Sequence, residues 1–428
     1  MNKKAKIIAA LCTLVLLGVG GLSGEARASE NLELVAPESQ GLSTDRLDRL
    51  TSAIRREIES GALLGAVTLV ARNGKIVHFE AQGFVDNGKT RPMDTTALFR
   101  ILSMTKPFVS VATMMLVEQG RLRLTDPVTD WLPELKNMTV MIHGRDGAVA
   151  QGAQTEPAAR PITVHDLLRH TSGLTYPGRS PFPEIRDAYR QADIMSREGD
   201  VSPDEFLRRL SAIPLAYQPG TRWEYGLSTD VLSVLLERLT TKPLHVLLQE
   251  MIFKPLRMKD TSFLVLPVER QRLAEMPASD PMKALVEKEA RVTEDPMGRY
   301  RKGGGGAVST ARDYLRFAQM ILNGGELDGV RLLSRKTMDY MLDDHIAGMP
   351  GGPSPSHGFG LGFGVRRPGG LASTAGSTGD VSWGGLGGTH FTIDRTEKLV
   401  GIYMAAAPSA LDRMQDSFRN IVYGAVVK

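Results

Sequence analysis

Ser103, Met104, Thr105 and Lys106 form the single Ser-x-x-Lys in a chain of 428 residues. A spacing of three on a helix stacks two side chains one turn apart on one face, so an amine at 106 can reach a hydroxyl at 103. The tetrad stands where a short apolar segment, 98–102, runs into a helix. The positive amino end of that helix disfavours a charged lysine and favours an oxyanion, the two conditions for acylating a serine. Taken alone the signal is weak, because this serine and lysine content gives roughly one such match by chance.

Other chemistries find less support. The eight histidines (78, 143, 165, 170, 245, 345, 357 and 390) include no His-x-x-x-His pair, and His165 and His170 lie too far round a helix to share a metal face. Glycines 303–306 lack the strand-then-helix context of a dinucleotide site, no phosphate loop occurs, and no serine sits in Gly-x-Ser-x-Gly. His170-Thr171-Ser172-Gly173 carries a histidine beside a serine, but neighbours on a turn cannot adopt triad geometry; the run reads as a fold-stabilising helix end. No metal and no organic cofactor is expected.

The formal charge of +4 invites a nucleic-acid partner, and the amino terminus removes the invitation. Lys3, Lys4 and Lys6 precede an apolar run from 7 to 22, and Ala26-Arg27-Ala28 supplies the small residues of a signal-peptidase site. Cleavage is expected after Ala28. The leader carries a net +3 (Lys3, Lys4, Lys6 and Arg27 against Glu25), so the mature chain is near +1 and loses Cys12, its only cysteine. The expectation is an exported protein, periplasmic or secreted, with no membrane span after processing and no nucleic-acid partner.

The elements that must position Ser103 read as mixed α and β. A helix is expected from 43 to 61, then strands 66–71 and 75–79 joined at Asn73-Gly74, a turn that tolerates positive φ at both positions. A helix is expected next from 105 to 119. Helices also fit 164–170, 203–210, 228–239 and 244–253, with 177–200 irregular between them. Strand signals return at 358–364, 389–394 and 399–405, before a last helix at 411–426. Strands at both chain ends predict one antiparallel sheet with flanking helices and an inserted, mostly helical region. The expected organisation is one domain over 29–428, with a sheet lobe at about 40–100 and 305–428 and a helical lobe at about 101–304.

The tetrad gains weight from the motifs downstream of it, which come in order: Thr125-Asp126-Pro127-Val128, the run 162–174, Pro219-Gly220-Thr221-Arg222-Trp223-Glu224-Tyr225-Gly226-Leu227-Ser228, Lys254-Pro255-Leu256, glycines 303–306 and Trp383-Gly384-Gly385-Leu386-Gly387-Gly388. This order resembles the serine β-lactamase and penicillin-binding-protein superfamily, most closely the class C-like carboxylesterases called family VIII esterases. The resemblance implies Ser103 as nucleophile, Lys106 as its proton-accepting neighbour, and Tyr225 as general base and then acid to the leaving group. It places Trp383, Gly384 and Gly385 on the strand bordering the site, with the amides of Ser103 and Leu386 as the oxyanion hole and the glycines giving an acyl group room.

Two departures tilt the expected substrate. Leu227 stands where lactam-hydrolysing relatives carry an amide donor, and Trp383 where they carry a cation. Both make the site more apolar and favour a small neutral ester. The segments 136–160 and 177–200 are expected to shape the acyl pocket. A β-lactamase or D-alanyl-D-alanine carboxypeptidase, an acyltransferase to an alcohol, and a non-catalytic cell-wall binder are the alternatives.

Overall fold

The computed structural model of the chain describes residues 32–142, 154–194, 201–289 and 301–428. The expected leader and residues 143–153 of the insert lie outside the described residues. The strands from the two chain ends do form one sheet. Seven strands run in the order Lys75–Gly83, Gly65–Arg72, Leu399–Ala405, Thr389–Asp394, Val381–Gly385, Gly364–Arg366 and His357–Phe359, each antiparallel to its neighbour. The first two meet at Asn73 and Gly74, whose φ values of 51° and 76° are the pair that such a tight turn needs.

Gly65–Arg72 is buried along its whole length because both faces of the sheet are covered. On one face, Leu47, Leu50 and Ile54 of the Thr44–Glu59 helix pack with Phe418 and Val422 of the Leu411–Gly424 helix and with Tyr403. The other face rests on the Ala311–Leu322 helix, with Leu315 and Phe317 in the cluster that holds Leu69, Phe391 and Ile402. This helix is absent from the sequence reading, although Thr310 caps it by accepting from the Asp313 amide at 3.2 Å.

The Lys106–Glu118 helix is apolar on nearly every side and lies in the core. Phe108 meets Phe253 and Phe317 edge to face, with ring centres 5.0 and 4.6 Å apart.

Three expectations need correction. The stretch 177–200 contains a helix, Pro183–Gln191, opened by a proline and held by the buried Ile185 and Tyr189. The glycine-rich run at 358–364 is two short strands joined by a turn, and Gly362 has φ of 98° against Ser110. The 244–253 helix ends in a π turn, Gln249–Phe253. Among the described residues, no helix is long and apolar enough to cross a membrane.

Candidate active site

Ser103 does not open the long helix. It sits on a separate 3-10 turn, Leu102–Thr105, and Lys106 is the first residue of the Lys106–Glu118 helix. Leu102 has φ of 38°, a left-handed conformation that costs a non-glycine residue on the order of 1 kcal/mol. Surrounding bonds hold that strain in place: Ile101 N–H donates to Ala307 O at 3.1 Å, and Tyr314 O–H donates to Met104 O at 3.0 Å.

The Ser103 hydroxyl receives two donors. Tyr225 O–H reaches Ser103 Oγ at 2.7 Å and Lys106 Nζ reaches it at 3.3 Å. Lys106 is 1% exposed and places its remaining donors on Tyr176 OH at 3.0 Å and Gly304 O at 2.5 Å. One carbonyl and two hydroxyls complement the three N–H groups of an ammonium. The same ammonium lies 4.9 Å from the centre of the Tyr225 ring.

Gly304 is fixed in turn. Its N–H donates to Asp230 Oδ1 at 3.2 Å, and a Cβ there would fall 2.3 Å from Asp230 Oδ2, so only glycine fits. Asp230 lies in the first turn of the Ser228–Thr240 helix, 3% exposed. Burial pushes its carboxyl above the ordinary range against the opposing pull of Lys106 and Lys302.

Tyr225 is set by the run read as a helix end. Asp166, fully buried, accepts from Arg160 at 2.6 and 3.0 Å, from Thr163 and from Thr171. The turn so anchored carries His170 O, which accepts from Glu224 N, and His170 Nδ1, which lies 3.4 Å from the Gly226 amide. The His170 ring packs 4.8 Å from Tyr225. Burial, with Lys106 and Arg179 nearby, pushes His170 far below the ordinary range, so a neutral imidazole braces the phenol. From the sheet side, Trp383 Nε1 donates to Tyr225 OH at 3.4 Å.

Two cavities meet at Ser103. One, of about 600 Å³, is bordered by Trp223, Trp383, Gly384 and the Leu411–Gly424 helix; the other, of about 330 Å³, by Leu102, Tyr176, Pro177, Leu285, Asp230 and Gly304. Ser103, Arg179, Tyr225 and Leu386 border both.

The structure thus brings Ser103, Lys106, Tyr225, Trp383, Gly384 and Leu386 together and corrects the reading of two others. Leu227 is 2% exposed, sits in the main core and borders neither cavity. Gly385 gives way to the chain itself rather than to an acyl group: a Cβ there would lie 2.2 Å from Ile101 O. The described residues of 136–160 also stay clear of the site. They form a small pairing of Thr139–Met141 with Thr155–Pro157 beside Leu215, whereas Tyr176, Pro177, Gly178 and Arg179 do border Ser103. Tyr176, Arg179 and Gly304 are the contributors that sequence reasoning missed as site residues; proximity to the irregular 177–200 stretch and to the glycines at 303–306 was the available signal.

A serine hydroxyl shared by a lysine and a tyrosine beside the Val381–Gly385 strand of an antiparallel sheet defines a class, the serine hydrolases of β-lactamase fold. A beta-lactamase family model matches residues 50–425, and the chain belongs to that family. The protein Rv1367c of Mycobacterium tuberculosis (strain H37Rv) is 36% identical over 382 residues, covering 84% of this chain and 89% of its own length. Esterase EstB of Burkholderia gladioli is 33% identical over 364 residues, covering 81% and 87%. Among solved structures, EstCE1, described as a hydrolase with promiscuous acyltransferase activity, aligns with a TM-score of 0.74 at 26% identity, over 89% of this chain and 99% of its own. The protein is therefore an esterase-like hydrolase of the β-lactamase fold with relatives that transfer acyl groups.

Proposed function

We propose that the chain hydrolyses short-chain carboxylic esters through an acyl-enzyme on Ser103. The observation that carries this reading is the placement of Ser103 Oγ within hydrogen-bond reach of both Tyr225 and Lys106, at the junction of two cavities. Ser103 Oγ bonds to the ester carbonyl carbon while its proton passes to the Tyr225 oxygen, and Tyr225, held by Trp383 Nε1, passes its own proton on towards the alkoxy oxygen of the ester. The amides of Ser103 and Leu386 receive the carbonyl oxygen as it becomes an anion. Collapse breaks the bond to the alcohol, which leaves with the proton that Tyr225 handed on; water then attacks the acyl carbon, its proton passing to the Tyr225 oxygen as Tyr225 gives its own to Ser103 Oγ, and the acid is released.

Ester preference over a lactam rests on Trp383 at the mouth, an indole where a cation would hold a substrate carboxylate. The leader pattern at 1–28 supports export, and amino-terminal sequencing of the mature protein should begin at Ser29; a retained Met1 would overturn that part. The first test is hydrolysis of p-nitrophenyl acetate by wild type beside Ser103→Ala. Abolition is expected, and activity surviving the substitution refutes the proposal. Two cavities at one nucleophile also favour a second reading, acyl transfer to an alcohol, which product analysis with added alcohol resolves.

A further inference from the structure

We propose that the larger cavity takes the alcohol half of the substrate and that this half is polyhydroxylated, a sugar or a comparable polyol; the inference rests on the ester-hydrolase reading above. The two cavities differ in chemistry. The smaller one is walled near Ser103 by Leu102, Leu285, Leu386, Tyr176 and Pro177 and suits a short acyl chain. The larger one is hydroxyl- and carboxylate-rich: Ser354, Ser356 and Ser382 border it from the sheet side, and Asp412, Gln415 and Asp416 from the Leu411–Gly424 helix.

Spacing puts Asp412 and Asp416 on one helical face, one turn apart, with Gln415 beside them. Among the described residues no hydrogen bond or ion pair engages the Asp412 carboxylate, and Asp416 receives only Ser373 Oγ, at 3.4 Å. Both carboxylates are exposed on that face, so a ligand's hydroxyls can replace water as their donors. Beneath them Arg419 is 2% exposed, and its Nη1 and Nη2 donate to Thr392 Oγ1 at 2.8 Å and Asp380 Oδ2 at 2.7 Å, which fixes the floor of the cavity.

The wall is built before any ligand arrives. Asp380, buried, accepts from Arg366 at 3.0 Å and from Arg419 at 2.7 Å, and Arg366 Nη2 holds the carbonyls of Thr374 and Ala375 at 2.8 and 2.7 Å. The loop that carries Ser373 and Thr374 is thereby fixed against the helix that carries the two aspartates, the preorganisation that binding requires.

Charge decides between a polyol and an ion. With the Asp380 that Arg366 and Arg419 share included, the wall sets Arg179, Arg366 and Arg419 against Asp380, Asp412 and Asp416, a balance of zero, and burial with Arg419 nearby pushes His357 below its ordinary range, towards the neutral form. A net cation or anion gains nothing from such a wall. A neutral ligand with many hydroxyls can donate to the carboxylates and accept from the serines, with its C–H face against the Trp383 indole.

The test compares a 6-O-acetyl methyl glucoside, acetylcholine and p-nitrophenyl acetate on wild type and on the Asp412→Ala/Asp416→Ala variant. The glucoside is expected to be the better substrate of the two natural-type alcohols. The ratio of its kcat/KM to that of p-nitrophenyl acetate should fall about tenfold or more in the variant, chiefly through KM, since each bond to a charged acceptor carries that weight. A ratio that stays constant, or a wild-type preference for acetylcholine that the variant loses, overturns the polyol assignment. Gln415→Ala gives a second, uncharged probe of the same wall and should move the ratio in the same direction. If wild type hydrolyses none of the three esters, the ester reading itself fails, and this inference with it.

Discussion

Gly384 and Gly385 are adjacent on one strand, and the structure assigns them opposite tolerances. A Cβ on Gly385 would sit 2.2 Å from Ile101 O and 2.5 Å from Thr389 Oγ1. Comfortable carbon-to-heavy-atom contact begins near about 3.5 Å, so Gly385→Ala forces the Val381–Gly385 strand and the Ile101 segment apart by about 1 Å. Overpacking of this kind costs about 1–3 kcal/mol of stability. The larger effect is on catalysis, because Ile101 lies two residues before Ser103 and the strand leads into Leu386, so the nucleophile and its proposed oxyanion donor separate. A misplacement of about 1 Å lowers kcat by about 100-fold. On Gly384 the same methyl would meet Thr389 O at 3.4 Å and Gln415 Oε1 at 3.5 Å, ordinary contacts. Gly384→Ala should therefore keep kcat for p-nitrophenyl acetate within about threefold of wild type. Steady-state kinetics and thermal unfolding of the two variants decide the matter. Equal effects at both positions, or a Gly385→Ala enzyme with wild-type kcat, would refute the reasoning.

Tyr225→Phe removes the proton carrier but keeps the ring contacts, and should lower kcat by about 100-fold to 10000-fold with little change in unfolding temperature; a wild-type kcat would remove Tyr225 from the reaction. Leu227→Asn buries an unpaired amide in the core and should cost about 2–5 kcal/mol in denaturant unfolding without raising nitrocefin turnover. Stability should also depend on His165, which burial, with Arg169 and His345 beside it, depresses from 6.5 to about 4. The unfolded chain takes up a proton first, so this contribution is whole above pH 6.5 and is lost as the pH falls towards 4. His165→Gln should flatten the fall in unfolding temperature across that range; an unchanged profile would count against it.

Much of the framework was legible because local chemistry fixed it. Asn73-Gly74 announced the hairpin, and alternating apolar runs at the two ends announced the sheet. The Ala311–Leu322 helix was missed although its cap was visible at Thr310, and the proline-opened Pro183–Gln191 helix was hidden in a polar stretch. At the site, Ser103, Lys106, Tyr225 and Trp383 were readable from motif order. Tyr176, Gly304 and His170 act across separations of 55 residues or more from Lys106 or Tyr225, and no spacing rule connects such positions. Leu227 shows the converse: a motif position was legible, but its direction into the core depended on packing that only the fold supplies.

The central claim is a covalent acyl group on Ser103. The most direct measurement is intact-mass and peptide mass analysis of the protein quenched during turnover of p-nitrophenyl acetate. The account predicts an acetyl adduct on the peptide containing Ser103 in wild type and none in Ser103→Ala. Turnover with no adduct on that peptide, or an adduct mapped to another residue, would contradict it.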